Sequence, residues 1–160
     1  MTIIPTPQSS QLLQERKEVN MFKKLIISIA LVSTPAWAAK PPFTGVDYSG
    51  RYQCTGMDSH IGAFEGVVDM KLNAEQSTGE HGAYGITLTL PDNSRYDGFA
   101  AANSSSLAIY FAHTDPSLKD YGVGIANFAS MPDGKTSFTK YYYGPEYKGG
   151  GHGFETCVKS

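Results

Sequence analysis

The sequence predicts an all-β protein, a single eight-stranded antiparallel up-and-down barrel, and three observations carry that prediction. Strand-like segments recur about every ten to fifteen residues from Tyr48 onward, separated by turns rich in Gly, Pro, Asn and Ser. No segment sustains the apolar period of an amphipathic helix. Cys54 and Cys157 fall in the first and last strand segments, so a bond between them brings the outermost strands together and closes the sheet. A β-sandwich stapled between its sheets is the alternative arrangement.

The chain before the strands is about address. Met21-Phe-Lys-Lys, the apolar run Leu25–Val32 and Ala36-Trp-Ala38 form the basic, apolar and cleavage regions of a secretory signal peptide, residues 21–38. That N-terminal signal helix is too short to span a bilayer, and Pro35 ends its apolar run. Cleavage is expected after Ala38. Lys17-Glu-Val-Asn20 can be encoded by a purine-rich ribosome-binding sequence, so Met21 is the expected start and residues 1–20 a translated leader. A disordered extension is the alternative. Residues 39–46 read as a linker and 47–160 as the barrel domain.

The strands follow in order. Tyr48–Thr55 is the first. Phe64–Leu72 alternates most clearly, with Phe64, Val68, Met70 and Leu72 on one face and Glu65, Asp69 and Lys71 on the other. Asn73–His81 is a polar loop. Tyr84–Leu90 resumes the alternation, and Pro91-Asp-Asn-Ser94 turns the chain. Tyr96–Ala102 is a strand poor in bulk, and Leu107–Phe111 is the fifth. The loop Asp115–Asp120 has room for one helical turn, and no other helix is expected. Asp120–Phe128 is the sixth strand and Met131–Lys135 a hairpin turn with Gly134 free to take positive φ. Phe138–Tyr143 is the seventh strand, Gly144–Gly151 a loop, and Phe154–Lys159 the eighth.

Composition narrows the partners. Nine basic against thirteen acidic residues in Ala39–Ser160 leave a net charge of −4. No basic stripe exists to neutralise phosphates, so nucleic acid is disfavoured, whereas a neutral ligand or a basic protein partner is accommodated. Two cysteines in an exported chain read as a disulfide. The two lysines and plain cleavage site fit a Gram-negative periplasm or secretion, with no membrane association after cleavage.

Gly50-Arg-Tyr52 in the first strand and Asp120-Tyr121 opening a later one resemble the Gly-x-Trp and Thr-Asp-Tyr motifs of the lipocalins and other calycins. The resemblance implies a lipocalin-like barrel that carries a small molecule. The chain departs from the pattern at Tyr52, at Lys119 and in having no helix after the last strand. The same architecture is similar to that of the periplasmic bacterial inhibitors of lysozyme.

An eight-stranded barrel is packed solid or holds one small ligand. Gly98, Ala100, Ala102, Gly122, Gly124 and Ala126 either leave interior space or let strands pass closely. Tyr141, Tyr142, Tyr143, Tyr147 and His152 form the densest aromatic stretch and are the candidate ligand- or partner-binding residues. Alternation sets Tyr141 and Tyr143 on one face and Tyr142 on the other. Exposed tyrosines on a glycine-rich loop suit an interface, while a rim girdle over the core is the plainer reading. Asp58-x-His60, Glu80-His81 and His152-x-x-Glu155 each pair two possible metal ligands, yet none has zinc-site spacing. No metal, cofactor or catalytic residue is therefore expected; Gly-x-Ser-x-Gly is missing and no acid–base pair emerges. The expected function is non-catalytic binding of a small apolar or aromatic molecule in an enclosed cavity of at least a few hundred Å3. The alternative is a protein-interaction module, such as an inhibitor of a basic cell-wall hydrolase.

Overall fold

Successive side chains along a strand point to opposite faces, so closing a sheet turns one face into an interior. The computed structural model describes residues 39–160; the signal segment and the residues before it lie outside the described residues. The strands are β1 Gly50–Asp58, β2 Gly62–Leu72, β3 His81–Thr89, β4 Arg95–Asn103, β5 Ser106–His113, β6 Tyr121–Ser130, β7 Thr136–Gly144 and β8 Gly151–Lys159. Each pairs antiparallel with its sequence neighbours, and β1 also pairs with β8. The fold is the closed up-and-down barrel. A sandwich would leave free edges, and here every described strand has two partners.

Cys54 and Cys157 stand directly opposite in the β1–β8 register and are bonded to each other. Both are buried. Gly134, at a φ of 81°, closes the β6–β7 hairpin, with its N–H on the Met131 carbonyl. Pro116–Leu118 makes a single 3-10 turn, capped by the Asp115 carboxylate on the Ser117 N–H. A second 3-10 turn at Tyr147–Gly149 corrects the expectation that there would be no other. Lys148 and Gly149 adopt positive φ there, which reverses the chain within three residues.

The two ends of the barrel differ, and that difference positions the site. At one end Tyr48 stacks on Phe128 with ring centroids 3.7 Å apart, and its hydroxyl donates to the Ser104 carbonyl at 3.1 Å. Tyr52 donates to the Tyr48 carbonyl at 2.7 Å, and Tyr84 donates to that of Val46 at 3.0 Å. Residues 42–45 cross the same end, exchanging backbone hydrogen bonds with Gly79. The Asn73–His81 loop beside them is pinned by buried Ser77, whose hydroxyl donates to the Asn73 carbonyl and accepts the Ala83 N–H. Inward side chains at this end are buried, as Tyr84, Leu107 and Phe138 are. Two residues or more toward the other end, Ile86, Phe111 and Tyr142 on the same strands are only half-buried. The interior is a cup, plugged at one end.

Candidate functional site

The cup's open end is framed by the β1–β2, β3–β4, β5–β6 and β7–β8 connections, and a cavity of about 120 Å3 lies beneath them. Most of its wall is apolar and comes from β2, β3 and β5: Phe64, Val68, Met70, Ile86, Leu88 and Phe111. These residues fall at inward positions through the same period-2 alternation that made β2 and β3 legible. The opposite side is polar. Lys140 and Glu155 face each other across β7 and β8, with Lys140 Nζ 2.7 Å from Glu155 Oε1. Their side chains are only 8% and 1% exposed, so this is a buried ion pair. Lys140 Nζ also lies 5.3 Å from the Phe111 ring centroid and 5.2 Å from that of Tyr142, within cation–π range. Glu155 Oε2 is buried without a hydrogen-bond partner among the described residues.

Nearer the mouth, two tyrosine–aspartate pairs line the same cavity. Tyr142 donates to Asp58 Oδ2 at 2.8 Å, and Tyr96 donates to Asp120 Oδ2 at 2.7 Å. Burial, followed by the hydrogen bond to its aspartate, pushes each tyrosine hydroxyl well above its ordinary value. Burial alone would raise the Asp58 carboxyl. The His60 N–H, the Tyr142 hydroxyl and the Ile61 N–H outweigh it and hold Asp58 below the usual carboxylate range.

The mouth loops are tied to one another. His60 Nε2 meets the Gly150 carbonyl at 2.9 Å, Ser59 and His152 exchange hydrogen bonds, and the His60 ring packs edge-on against Tyr147. Tyr121 donates to Glu146 at 2.6 Å, joining the start of β6 to the β7–β8 loop.

The five residues singled out in the sequence divide between two places. Tyr142 and Tyr147 line the cavity. Tyr141, Tyr143 and His152 do not reach it; they face outward, with the two tyrosines 40% and 47% exposed. The reason is alternation: in β7 they flank the inward positions of Lys140 and Tyr142, and in β8 His152 stands opposite Tyr143. His152 and Glu155, three apart in one strand, consequently point to opposite faces and do not converge.

Among the small residues, Ala100, Ala102 and Ala126 are buried in the core. Gly122 and Gly124 open no space, because a Cβ on either would press on the Tyr143 or Tyr141 backbone oxygen; they allow strands to pass closely. Sequence reasoning passed over Lys140, Tyr96, Asp120 and the inward role of Glu155. The available signal was a charge at an inward position, Lys140 between Phe138 and Tyr142 and Glu155 two residues before Cys157. The cavity is also smaller than the few hundred Å3 expected of a carrier.

Comparison of the chain with protein-family models, with curated proteins and with solved structures finds no match.

Proposed function

We propose that the protein is an exported, non-catalytic binding protein that takes one small apolar or aromatic molecule into the open end of its barrel. The observation that carries this reading is the cavity of about 120 Å3 in a cup whose other end is plugged by Tyr48, Tyr52 and Phe128. A cavity of roughly 150 Å3 lined by aliphatic and aromatic side chains accepts benzene, so the expected ligand is of single-ring size rather than lipid size. The Cys54–Cys157 bond supports residence in an oxidising compartment, and with the signal segment that compartment is read as the periplasm. Exposed Arg51, Asp69, Lys71, Arg95 and Asp97 on the outer faces of β1, β2 and β4 support a barrel outside the lipid.

Native mass spectrometry of protein purified from the periplasm tests the reading, paired with calorimetric titration of toluene. A saturable one-to-one complex is expected. Empty protein that takes up neither toluene nor any other single-ring compound overturns it.

A protein-interaction role is kept as a second reading because of one observation on the outer surface. Phe99, Tyr110, Val123 and Tyr143 are paired in sequence across β4 to β7, and Ile125, Tyr141, Phe154 and Met57 form the adjoining row across β6, β7, β8 and β1. All eight are exposed, and such a continuous apolar face is uncommon on a soluble monomer. A lysozyme lysis assay discriminates. Stoichiometric inhibition abolished by Tyr141→Ser with Tyr143→Ser would carry this reading, and unchanged lysis at large molar excess would end its inhibitor form.

A further inference from the structure

Glu155 lines the cavity, and one of its two carboxylate oxygens has no hydrogen donor among the described residues. Glu155 Oε1 is occupied by Lys140, while Oε2 of the same carboxylate is buried with no partner among the described residues. A buried acceptor left unpaired is unfavourable, and a ligand donor placed there gains a charge-assisted hydrogen bond. The charges around the cavity limit what that ligand can be. An anion would meet the carboxylates of Asp58, Asp120 and Glu155 with Lys140 alone to offset them, and Lys140 is already paired. A cation at Oε2 would lie beside the Lys140 ammonium and would have to shed its own hydration in a largely apolar chamber. A neutral donor has neither difficulty. The remaining wall, with Phe64, Phe111 and Phe138, offers aromatic and aliphatic contact to a flat body.

We infer that the cavity selects a neutral, single-ring molecule bearing a hydroxyl, a simple phenol, whose hydrogen is given to Glu155 Oε2. This inference rests on the reading of the barrel as a small-molecule binder and adds the chemistry of the recognised group. Lys140 acts as a positioning residue: it holds Oε1 and leaves Oε2 as the acceptor. The Tyr142 and Tyr96 hydroxyls are committed to Asp58 and Asp120, so they do not compete for Oε2.

The test is calorimetric titration of the wild-type protein with p-cresol, toluene, anisole, benzoate and benzylammonium. p-Cresol is expected to bind roughly tenfold or more tightly than toluene, as a hydrogen bond to a charged group warrants. Anisole, which has the oxygen without the donor, should behave like toluene, and benzoate and benzylammonium should bind more weakly than p-cresol. Equal affinity for p-cresol and toluene, or a charged probe binding tightest, overturns the inference while leaving the binding reading standing. Failure of every probe overturns both. Lys140→Met combined with Glu155→Leu replaces the ion pair by apolar groups of similar size; it should lose the preference for p-cresol over toluene. Retention of that preference in the double variant also overturns the inference. The wild-type comparison decides the matter by itself should the double variant fail to fold.

Discussion

Lys140 and Glu155 sit directly opposite each other in the β7–β8 register, both turned into the barrel, with Nζ and Oε1 2.7 Å apart. Desolvating two charges is expensive, so such a pair contributes little net stability over well-packed apolar residues. Removing one member is different, because the other is left buried and uncompensated. Lys140→Met is therefore expected to destabilise the barrel by about 3–5 kcal/mol, whereas Lys140→Met with Glu155→Leu should come within about 1–2 kcal/mol of wild type or exceed it. Urea denaturation followed by circular dichroism reads both. A single variant as stable as wild type would mean that Glu155 finds another partner or water.

The disulfide joins residues that already stand opposite each other in the β1–β8 ladder. Its contribution accordingly lies in the unfolded chain, where it closes a loop with a sequence separation of 103. The chain-entropy model values such a loop at up to about 4–5 kcal/mol. Cys54→Ala with Cys157→Ala should lose most of that in urea denaturation yet retain the β spectrum under native conditions, because the β1–β8 ladder does not depend on sulfur. A variant with no β structure at all would show that the seam closes only when cross-linked.

The buried tyrosines predict how the barrel fails in alkali. Burial, and after it the charges of Tyr84, Asp47 and Tyr48, push the Tyr52 hydroxyl up to about 12. Burial and the aspartate partners raise Tyr96 and Tyr142 as well. A folded value above the unfolded one means that these groups favour the native state fully below about pH 10, the unfolded tyrosine value. That contribution is lost as pH rises through the folded values. Tyrosinate absorbance should thus show an early phase with native circular dichroism, and a late phase for Tyr52, Tyr96 and Tyr142 that coincides with unfolding. One transition near pH 10 with the native spectrum intact would show that solvent reaches these hydroxyls freely.

What was legible in the sequence was local. The alternation of Val68, Met70 and Leu72 with Asp69 and Lys71 fixes which side of β2 is the interior, and the structure follows it. The same rule separates Tyr142 from Tyr141 and Tyr143. What was illegible needed register between distant strands. Nothing near Lys140 names Glu155 as its partner, and the Tyr142–Asp58 bond joins residues 84 apart. The glycines were ambiguous for the same reason, since whether Gly122 makes space or admits a neighbour depends on where the Tyr143 backbone passes.

That ambiguity can be measured at Gly98 and Gly85, which lie on paired strands but meet different surroundings. Gly98 points inward and lines the cavity, and a Cβ there would collide with the Tyr110 carbonyl oxygen on β5. The obstruction is backbone, which cannot swing aside as a flexible side chain would, so the β4–β5 ladder itself must give. Gly98→Ala is expected to destabilise by about 1–3 kcal/mol, the usual range for overpacking. Gly85 is exposed on β3, with nothing within 4 Å of its would-be Cβ and no positive φ. Gly85→Ala should be neutral or stabilise by about 0.4–1 kcal/mol, because it narrows the unfolded ensemble without meeting anything in the fold. Urea midpoints of the two variants at equal m-value give the comparison. If Gly98→Ala matches Gly85→Ala, the β4–β5 wall of the cavity yields readily, and a cavity with a yielding wall would admit ligands larger than a single ring.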